Sequence, residues 1–176
     1  MKKTKLLVYT ALFITLGLIL PMAFHFIGGT GPIFLPMHIP VLLAGALLGP
    51  VAGLITGIIT PILSSFLTGM PPVLPVLPIM IVELALYGLL TAILIKKFNI
   101  YLTLVISMLI GRIGAGLVVT VMVHILNFKL PANPLLYIWG TISTGLPGII
   151  IQLVFIPILY KRLLNYNGLK RMDIDV

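Results

Sequence analysis

The sequence predicts an all-α integral membrane protein, and its composition, its apolar runs and its basic residues all support this fold class. Of the 176 residues, 60% are hydrophobic and only 8% are charged, whereas about a quarter are charged in ordinary globular chains. The mean hydropathy is +1.27. A water-soluble protein could not cover its surface with 11 basic and 3 acidic side chains. The apolar runs are nearly continuous rather than alternating, which favours helices over a transmembrane barrel.

The same composition excludes several classes of function. The formal net charge is +8, but no basic stripe is interleaved with aromatic residues, so we expect no nucleic-acid partner. The chain has no cysteine, no phosphate-cradling G-x-x-x-x-G-K-[ST] motif and no evident Ser/His or paired-carboxylate constellation. No two histidines share the i/i+4 spacing of a helical metal site. We therefore predict a protein that is not an enzyme and holds no cofactor or metal.

The apolar runs predict six transmembrane helices in a single membrane domain covering residues 1–176. Their expected bounds are 6–26, 37–48, 51–67, 76–95, 100–126 and 136–160. The first run could also be a cleaved signal peptide, but it is long and no clear small-x-small cleavage site follows. The second block, Met37–Leu67, is interpreted as two short crossings that reverse at Gly49-Pro50, because proline removes a helix donor and glycine permits the turn.

The basic residues predict the orientation. Nine of the 11 lie at the N-terminus, at Lys96 and Lys97, and in the C-terminal tail, and positive clusters mark the cytoplasmic side of a membrane. An even number of crossings must then separate the clusters, which requires the reversal at Gly49-Pro50 and places both termini in the cytoplasm. The glycines at 45, 49, 53 and 57 support the opposite view, because on one continuous helix they would form a single packing stripe.

Glu83 and Arg112 are the clearest ionisable residues inside the predicted membrane region. Glu83 lies 13 residues before Lys96 and Arg112 lies 13 residues after Asn99. At 1.5 Å per residue both lie roughly 20 Å from the inner boundary, on consecutive antiparallel helices, so they could meet. Two interpretations remain open and can coexist. The pair could hold two helices together, or Arg112 could bind an anionic ligand group while Glu83 orients it.

Further candidate site residues lie at the predicted outer ends of the helices. His38 lies between Pro36 and Pro40, and the two prolines indicate a rigid lid rather than a loose tether. The other candidates are Asn127, Asn133, Tyr137 and Trp139. Anchoring of aromatic side chains at the membrane interface explains Tyr137 and Trp139 without any function, although the four residues together could line a site for a small amphipathic molecule.

Small residues on the first helix predict a packing or docking face. Ala11 and Thr15 are four residues apart, with Gly17 nearby, on a helix that is otherwise bulky. Intramolecular packing is the ordinary explanation for such pairs. Of the small-residue faces in this chain, the one on the first helix is the best candidate for docking a partner.

The segment FLPMHIPVLLAGALLGPVAGLITGIITPILSSFLTGMPP resembles the substrate-binding S components of energy-coupling factor (ECF) vitamin transporters. The Gly-Pro reversal followed by Gly53-x-x-x-Gly57 is its most specific part, and ELALYG, which contains Glu83 and Tyr87, resembles the start of the family's fourth-helix segment. The similar layout covers roughly residues 5–165. The resemblance implies a six-helix fold in a prokaryotic plasma membrane and a vitamin pocket near the outer face, built from the first loop and helices four to six.

The resemblance also implies partners. These are a transmembrane T component, two ATPase subunits and the surrounding lipid. In that family an Ala-x-x-x-Ala face on the first helix docks the T component. Ala11 and Thr15 occupy the matching positions here, and the threonine departs from the pattern.

The predicted function is therefore high-affinity vitamin binding for an importer that is energised by other subunits. Arg112 favours a ligand with a carboxylate or phosphate, so pantothenate is the first choice of vitamin. Hydroxymethylpyrimidine or pyridoxine, folate and cobalamin remain open as substrates. A structural membrane protein, in which Glu83 and Arg112 only hold helices together, remains open as a different class of function.

Overall fold

The computed structural model describes residues 3–25, 30–128 and 134–165, and in these ranges the regular structure is helical throughout. The helices are α1 (Lys3–His25), α2 (Gly31–Phe34), α3 (His38–Leu48), α4 (Pro50–Thr68), α5 (Val76–Leu94), α6 (Ile100–His124) and α7 (Pro134–Asn165). Within the described ranges, 6 stretches are long and apolar enough to span a membrane, and α2 and α3 together supply the second. The predicted all-α bundle of six transmembrane helices is confirmed, whereas the side on which the termini lie stays a prediction.

The chain reverses at Gly49-Pro50, as the sequence indicated. Gly49 adopts φ 98°, a left-handed conformation that a side chain would strain, and Pro50 is the first residue of α4, where its missing N–H costs nothing. The Gly49 N–H still donates to the Gly45 carbonyl at 3.3 Å and so completes the end of α3. The 11-residue α3 is only about 16 Å long, shorter than the hydrocarbon core, so α2 and its connection must complete that crossing.

Glycines on three helices allow α3, α4 and α5 to touch backbone to backbone. A Cβ at Gly88 would collide with the Gly53 carbonyl, and a Cβ at Gly45 would collide with the Gly88 carbonyl. Gly57 meets the Leu84 carbonyl in the same way. We call Gly45, Gly53, Gly57 and Gly88 the glycine seam. The four-residue repeat therefore packs two antiparallel helices against α5 and does not form one stripe on a continuous helix.

The seam also establishes which connections share an end of the bundle. Gly53 faces Gly88, and each lies a few residues from the end of its helix, so the Gly49-Pro50 turn and the 95–99 turn lie at the same end. We call this the basic end because it carries Lys96 and Lys97. His38, at the start of α3, therefore lies at the opposite end.

The connection between α4 and α5 is held at the opposite end by two serine hydroxyls. Ser64 donates to the Met70 carbonyl and Ser65 to the Pro71 carbonyl, each at 2.7 Å. Gly69 ends α4 in a left-handed conformation with φ 72°. These hydrogen bonds pair two backbone carbonyls that lie outside any helix, so they fix the conformation of the connection.

Burial differs strongly between the helices. In the most apolar window of each span, 67% of the residues of Gly31–Leu48 are buried, compared with 22% in α1. Val41, Leu42 and Leu48 are fully enclosed, while Leu7, Val8 and other large apolar side chains of α1 are exposed. In a bilayer such exposed apolar side chains face lipid, which is their favourable environment. The short α3 is thus the central helix, and α1 lies at the edge.

Candidate binding site

His38 enters the interior because the chain turns sharply just before α3. Leu35 adopts a left-handed conformation with φ 49°, and its carbonyl accepts the His38 N–H at 3.1 Å. The turn places the imidazole inside the bundle, where only 4% of the residue is exposed. A histidine at the first position of this central helix is therefore held by backbone geometry as well as by packing.

Glu83 and Tyr87 lie one turn apart on α5 and point to the same side. The Tyr87 hydroxyl donates to Glu83 Oε1 at 2.9 Å, the i/i+4 contact that helical spacing allows. The Tyr87 ring is 5.4 Å from the His38 ring, centroid to centroid, in an edge-on arrangement. Gly111 of α6 gives the phenol its space, because a Cβ at that position would collide with the ring.

Arg112 of α6 reaches the same carboxylate. Its Nη1 lies 3.0 Å from Glu83 Oε1, and His38 Nε2 lies 3.7 Å from that oxygen. We call His38, Glu83, Tyr87 and Arg112 the polar cluster. All four residues are buried, and an uncompensated charge at this depth would be very costly, so Glu83 and Arg112 stabilise each other. The matched depth of the two charged residues correctly indicated that they meet.

The polar cluster keeps hydrogen-bonding capacity that the described part of the chain does not use. Arg112 Nε and His38 Nδ1 are both buried, and neither has a hydrogen-bond partner among the described residues. Buried polar atoms are nearly always paired, and unlike the other unpaired side-chain atoms of the interior, which are hydroxyls, these two belong to an arginine and a histidine beside one carboxylate. A bound polar molecule would supply hydrogen-bond partners for them.

Gln152 is a site residue that the sequence analysis missed. It lies on α7, is 1% exposed, and its side-chain amide donates to the Leu35 carbonyl at 3.4 Å. Arg112 Nη2 approaches the same stretch of α7, lying 3.6 Å from the position of a Cβ on Gly145. The sequence did contain a feature that could have identified this residue, because Gln152 is a lone amide within the apolar run IIIQLVFI.

Two of the predicted site residues that the structure describes are not brought into the polar cluster. Asn127 follows α6 and is exposed, and Trp139 of α7 is 69% exposed. Asn133 lies outside the described residues. Their roles in binding stay predictions, and the exposure of Trp139 suits the interfacial anchoring that was its alternative explanation.

Ala11 and Thr15, the predicted docking pair, are both exposed on α1. The Thr15 hydroxyl donates to the Ala11 carbonyl at 2.9 Å, within the helix itself. As for metals, no group of three histidine or acidic side chains that could hold an ion occurs in residues 3–25, 30–128 and 134–165.

Six apolar spans around one buried group of charged and aromatic side chains define a multi-pass membrane protein with an internal polar site. The chain belongs to the family of ECF transporter substrate-specific components, whose family model matches residues 5–160. No curated protein and no solved structure shows a significant match to the chain. The resemblance drawn from the sequence is confirmed. The family consists of substrate-binding transport subunits and is not an enzyme family, and membership implies a small-molecule substrate and association with the T and ATPase parts of an ECF module.

Proposed function

We propose that this protein binds a water-soluble vitamin with an anionic group, pantothenate being the first candidate, and that the polar cluster is its binding site. The observation that carries the proposal is Arg112, a buried arginine whose Nη1 pairs with Glu83 while its Nε has no partner in the described part of the chain. An arginine bound only to Glu83 would leave this donor unsatisfied inside the bundle, which costs free energy unless a bound ligand accepts from it.

The chemistry of the polar cluster suits such a ligand. A guanidinium has five N–H donors in a planar fork, so one carboxylate of the protein leaves room for a second carboxylate from a ligand. His38 Nδ1 offers a further polar contact to a hydroxyl or amide group. Pantothenate carries a carboxylate, hydroxyl groups and an amide, which is the set of groups that these side chains can recognise.

The proposed orientation places the basic end in the cytoplasm of a prokaryotic cell and the opposite end outside. This follows from the preference of lysine and arginine for the cytoplasmic side. His38 begins α3 at the opposite end, so the polar cluster would be reached from outside. A vitamin arriving from the medium would then meet the cluster without crossing the lipid.

α1 is the proposed docking helix for the T component, which acts with two ATPase subunits. Ala11 and Thr15 are exposed, and only 22% of the most apolar window of this helix is buried inside the protein. The hydroxyl of Thr15 is already bonded to the Ala11 carbonyl, so threonine leaves no unpaired group on this face. Its departure from the Ala-x-x-x-Ala pattern is therefore compatible with close helix packing.

A thermal-shift panel on the purified protein in detergent, without ATP, tests the proposal. We expect one vitamin of the panel, pantothenate first, to raise the melting temperature. Stabilisation is about 2.7 kcal/mol at a ligand concentration 100 times Kd. The panel also contains pyridoxine, hydroxymethylpyrimidine, folate and cobalamin.

Arg112→Lys is the decisive variant, because it keeps a positive charge beside Glu83 but removes the planar fork. We expect the variant to fold and to lose at least tenfold in affinity for the stabilising vitamin. Arg162→Lys, an exposed residue near the end of α7, is the matched control and should bind normally. If no vitamin stabilises the wild type, the polar cluster is a structural ion-pair group and the proposal is wrong.

A further inference from the structure

The one-turn helix α2 lies against α7 rather than against the centre of the bundle. A Cβ on Gly148 of α7 would lie 2.6 Å from the Phe34 carbonyl group, so the α2 backbone rests directly on this glycine. One turn towards the start of α7, the Leu35 side chain lies 2.8 Å from the position of a Cβ on Gly145. The absence of a side chain at Gly145 and Gly148 therefore leaves the space that the end of α2 occupies.

Gln152 adds a polar contact to the same place. Its amide donates to the Leu35 carbonyl, and that carbonyl also accepts the N–H of His38. One acceptor therefore joins α7, the end of α2 and the first residue of α3. Since His38 belongs to the polar cluster, a change at Gln152 can reach the cluster through a single backbone group.

Apart from α7, α2 is held by α1, where the Thr30 hydroxyl donates to the Phe24 carbonyl at 3.4 Å. It has only 4 residues, none of them buried, and its N-cap Thr30 makes no side-chain capping bond. Helices this short are unstable alone, so contacts with neighbours must fix it. Among the described residues these neighbours include Phe24 of α1, whose ring centroid is 5.3 Å from that of Phe34, and the residues of α7 named above.

We propose that Gly145, Gly148 and Gln152 form a seat on α7 that holds α2 closed beside the polar cluster, with Gln152 as the positioning residue for His38. Releasing Leu35 from this seat frees α2 and the start of α3 together, and so opens the cluster. The seat itself is inferred from contacts within the protein. Only its effect on ligand exchange rests on the proposed function.

Hydrogen exchange of the ligand-free protein in detergent tests the seat directly. The backbone N–H groups of Ile33, Phe34, Leu35 and His38 are all hydrogen-bonded within residues 30–38, so opening of this segment is measurable. In Gln152→Met, which keeps the length of the side chain but not the donor, we expect exchange of this segment to accelerate roughly threefold. In Gly148→Ala we expect more than tenfold, because the new methyl group meets the α2 backbone.

Gly140→Ala is the matched control on the same helix, because nothing lies within 4 Å of the added Cβ. Exchange of residues 30–38 should stay at the wild-type rate in this variant, and exchange of α4 and α5 should be unchanged in all three. If neither Gln152→Met nor Gly148→Ala accelerates exchange of residues 30–38, or if all helices accelerate equally, the seat does not hold α2.

Pantothenate dissociation provides the functional readout. We expect the dissociation rate to rise about threefold in Gln152→Met, with the melting temperature of the ligand-free protein unchanged, and to stay normal in Gly140→Ala. If Gln152 only stabilised the fold, its substitution would lower the melting temperature without a selective effect on the dissociation rate. If the wild type binds no pantothenate, the choice of ligand fails while the exchange experiment still decides whether the seat exists.

Discussion

The two sides of α3 are held by different kinds of contact. On the α4/α5 side the glycine seam brings carbonyl groups against bare Cα atoms, and the atoms nearest to an added Cβ at each seam glycine belong to backbone. On the α7 side, apolar side chains such as Ile156 join the core, and the start of α3 is approached through the tip of Leu35, the backbone at Phe34 and one long hydrogen bond from Gln152. Only 28% of the most apolar window of α7 is buried. We call α3, α4 and α5, together with α6 that packs on α5, the frame, and we call α2 with the part of α7 that holds it the cover.

The polar cluster is divided between these two sides. Glu83 and Tyr87 lie on α5, in the frame, so their positions are fixed by backbone packing. His38 lies where α2 and α3 join, next to the cover, and its N–H shares the Leu35 carbonyl with Gln152. In the proposed binding site, this arrangement would keep the Glu83 carboxylate in place while the segment beside His38 opens.

Gly88→Ala is expected to have the largest effect. The added methyl group meets the Gly53 carbonyl, and a packed backbone cannot move aside as a flexible side chain can. We expect the free energy of unfolding to fall by more than about 3 kcal/mol, or the protein not to fold at all. Thermal unfolding and size-exclusion chromatography in detergent measure this. Gly140→Ala, which adds the same methyl group in open space, should behave as wild type. A Gly88→Ala protein with normal stability would show that the seam is not rigid.

Glu83→Gln is expected to rank second. It leaves Arg112 buried without its counter-charge, and breaking a buried ion pair from one side typically costs about 3–5 kcal/mol. The double variant Glu83→Gln/Arg112→Gln removes both charges, so we expect it to be more stable than Glu83→Gln alone. A double-mutant cycle by thermal unfolding measures this coupling. If the stability losses of Glu83→Gln and Arg112→Gln add up to that of the double variant, the two residues are not energetically coupled.

Much of the frame could be predicted from the sequence, because it follows from rules that act along the chain. The parity of the basic clusters required a reversal within Met37–Leu67, and the structure has it at Gly49-Pro50. Equal spacing from the turn at Lys96 placed Glu83 and Arg112 at one depth, and they form an ion pair at 3.0 Å. Depth along a helix is readable from residue number, because every residue adds the same rise.

The cover could not be predicted in the same way. Whether a residue faces the interior depends on how its helix is rotated, and nearly uniform apolar sequence does not indicate rotation. Trp139 was grouped with the site by its depth, but its helix turns it outwards, and it is 69% exposed. Gln152 was passed over, although it faces inwards and is 1% exposed. Helical spacing of Glu83 and Tyr87 could have revealed their hydrogen bond, whereas the space made by Gly111 depends on tertiary packing.

Buried hydroxyl groups allow a finer comparison within the frame. Thr56 and Thr103 are both fully buried, on α4 and α6. The Thr56 hydroxyl donates to the Ala52 carbonyl at 2.7 Å, whereas the Thr103 hydroxyl has no hydrogen-bond partner among the described residues. Thr91 of α5 and Ser107 of α6 are in the same state as Thr103. A buried hydroxyl without a partner opposes folding, and a bonded one does not.

Thr103→Val should therefore stabilise the protein, by about 1 kcal/mol or less, because valine has nearly the same shape and the same branched Cβ but no unpaired hydroxyl. Thr56→Val should be neutral or destabilising by a similar amount, since it removes a short hydrogen bond. Thermal unfolding of both variants in detergent measures the difference, and the opposite signs make each the control of the other. A destabilised Thr103→Val protein would mean that this hydroxyl is bonded to an ordered water inside the bundle, and that the frame between α5 and α6 is hydrated.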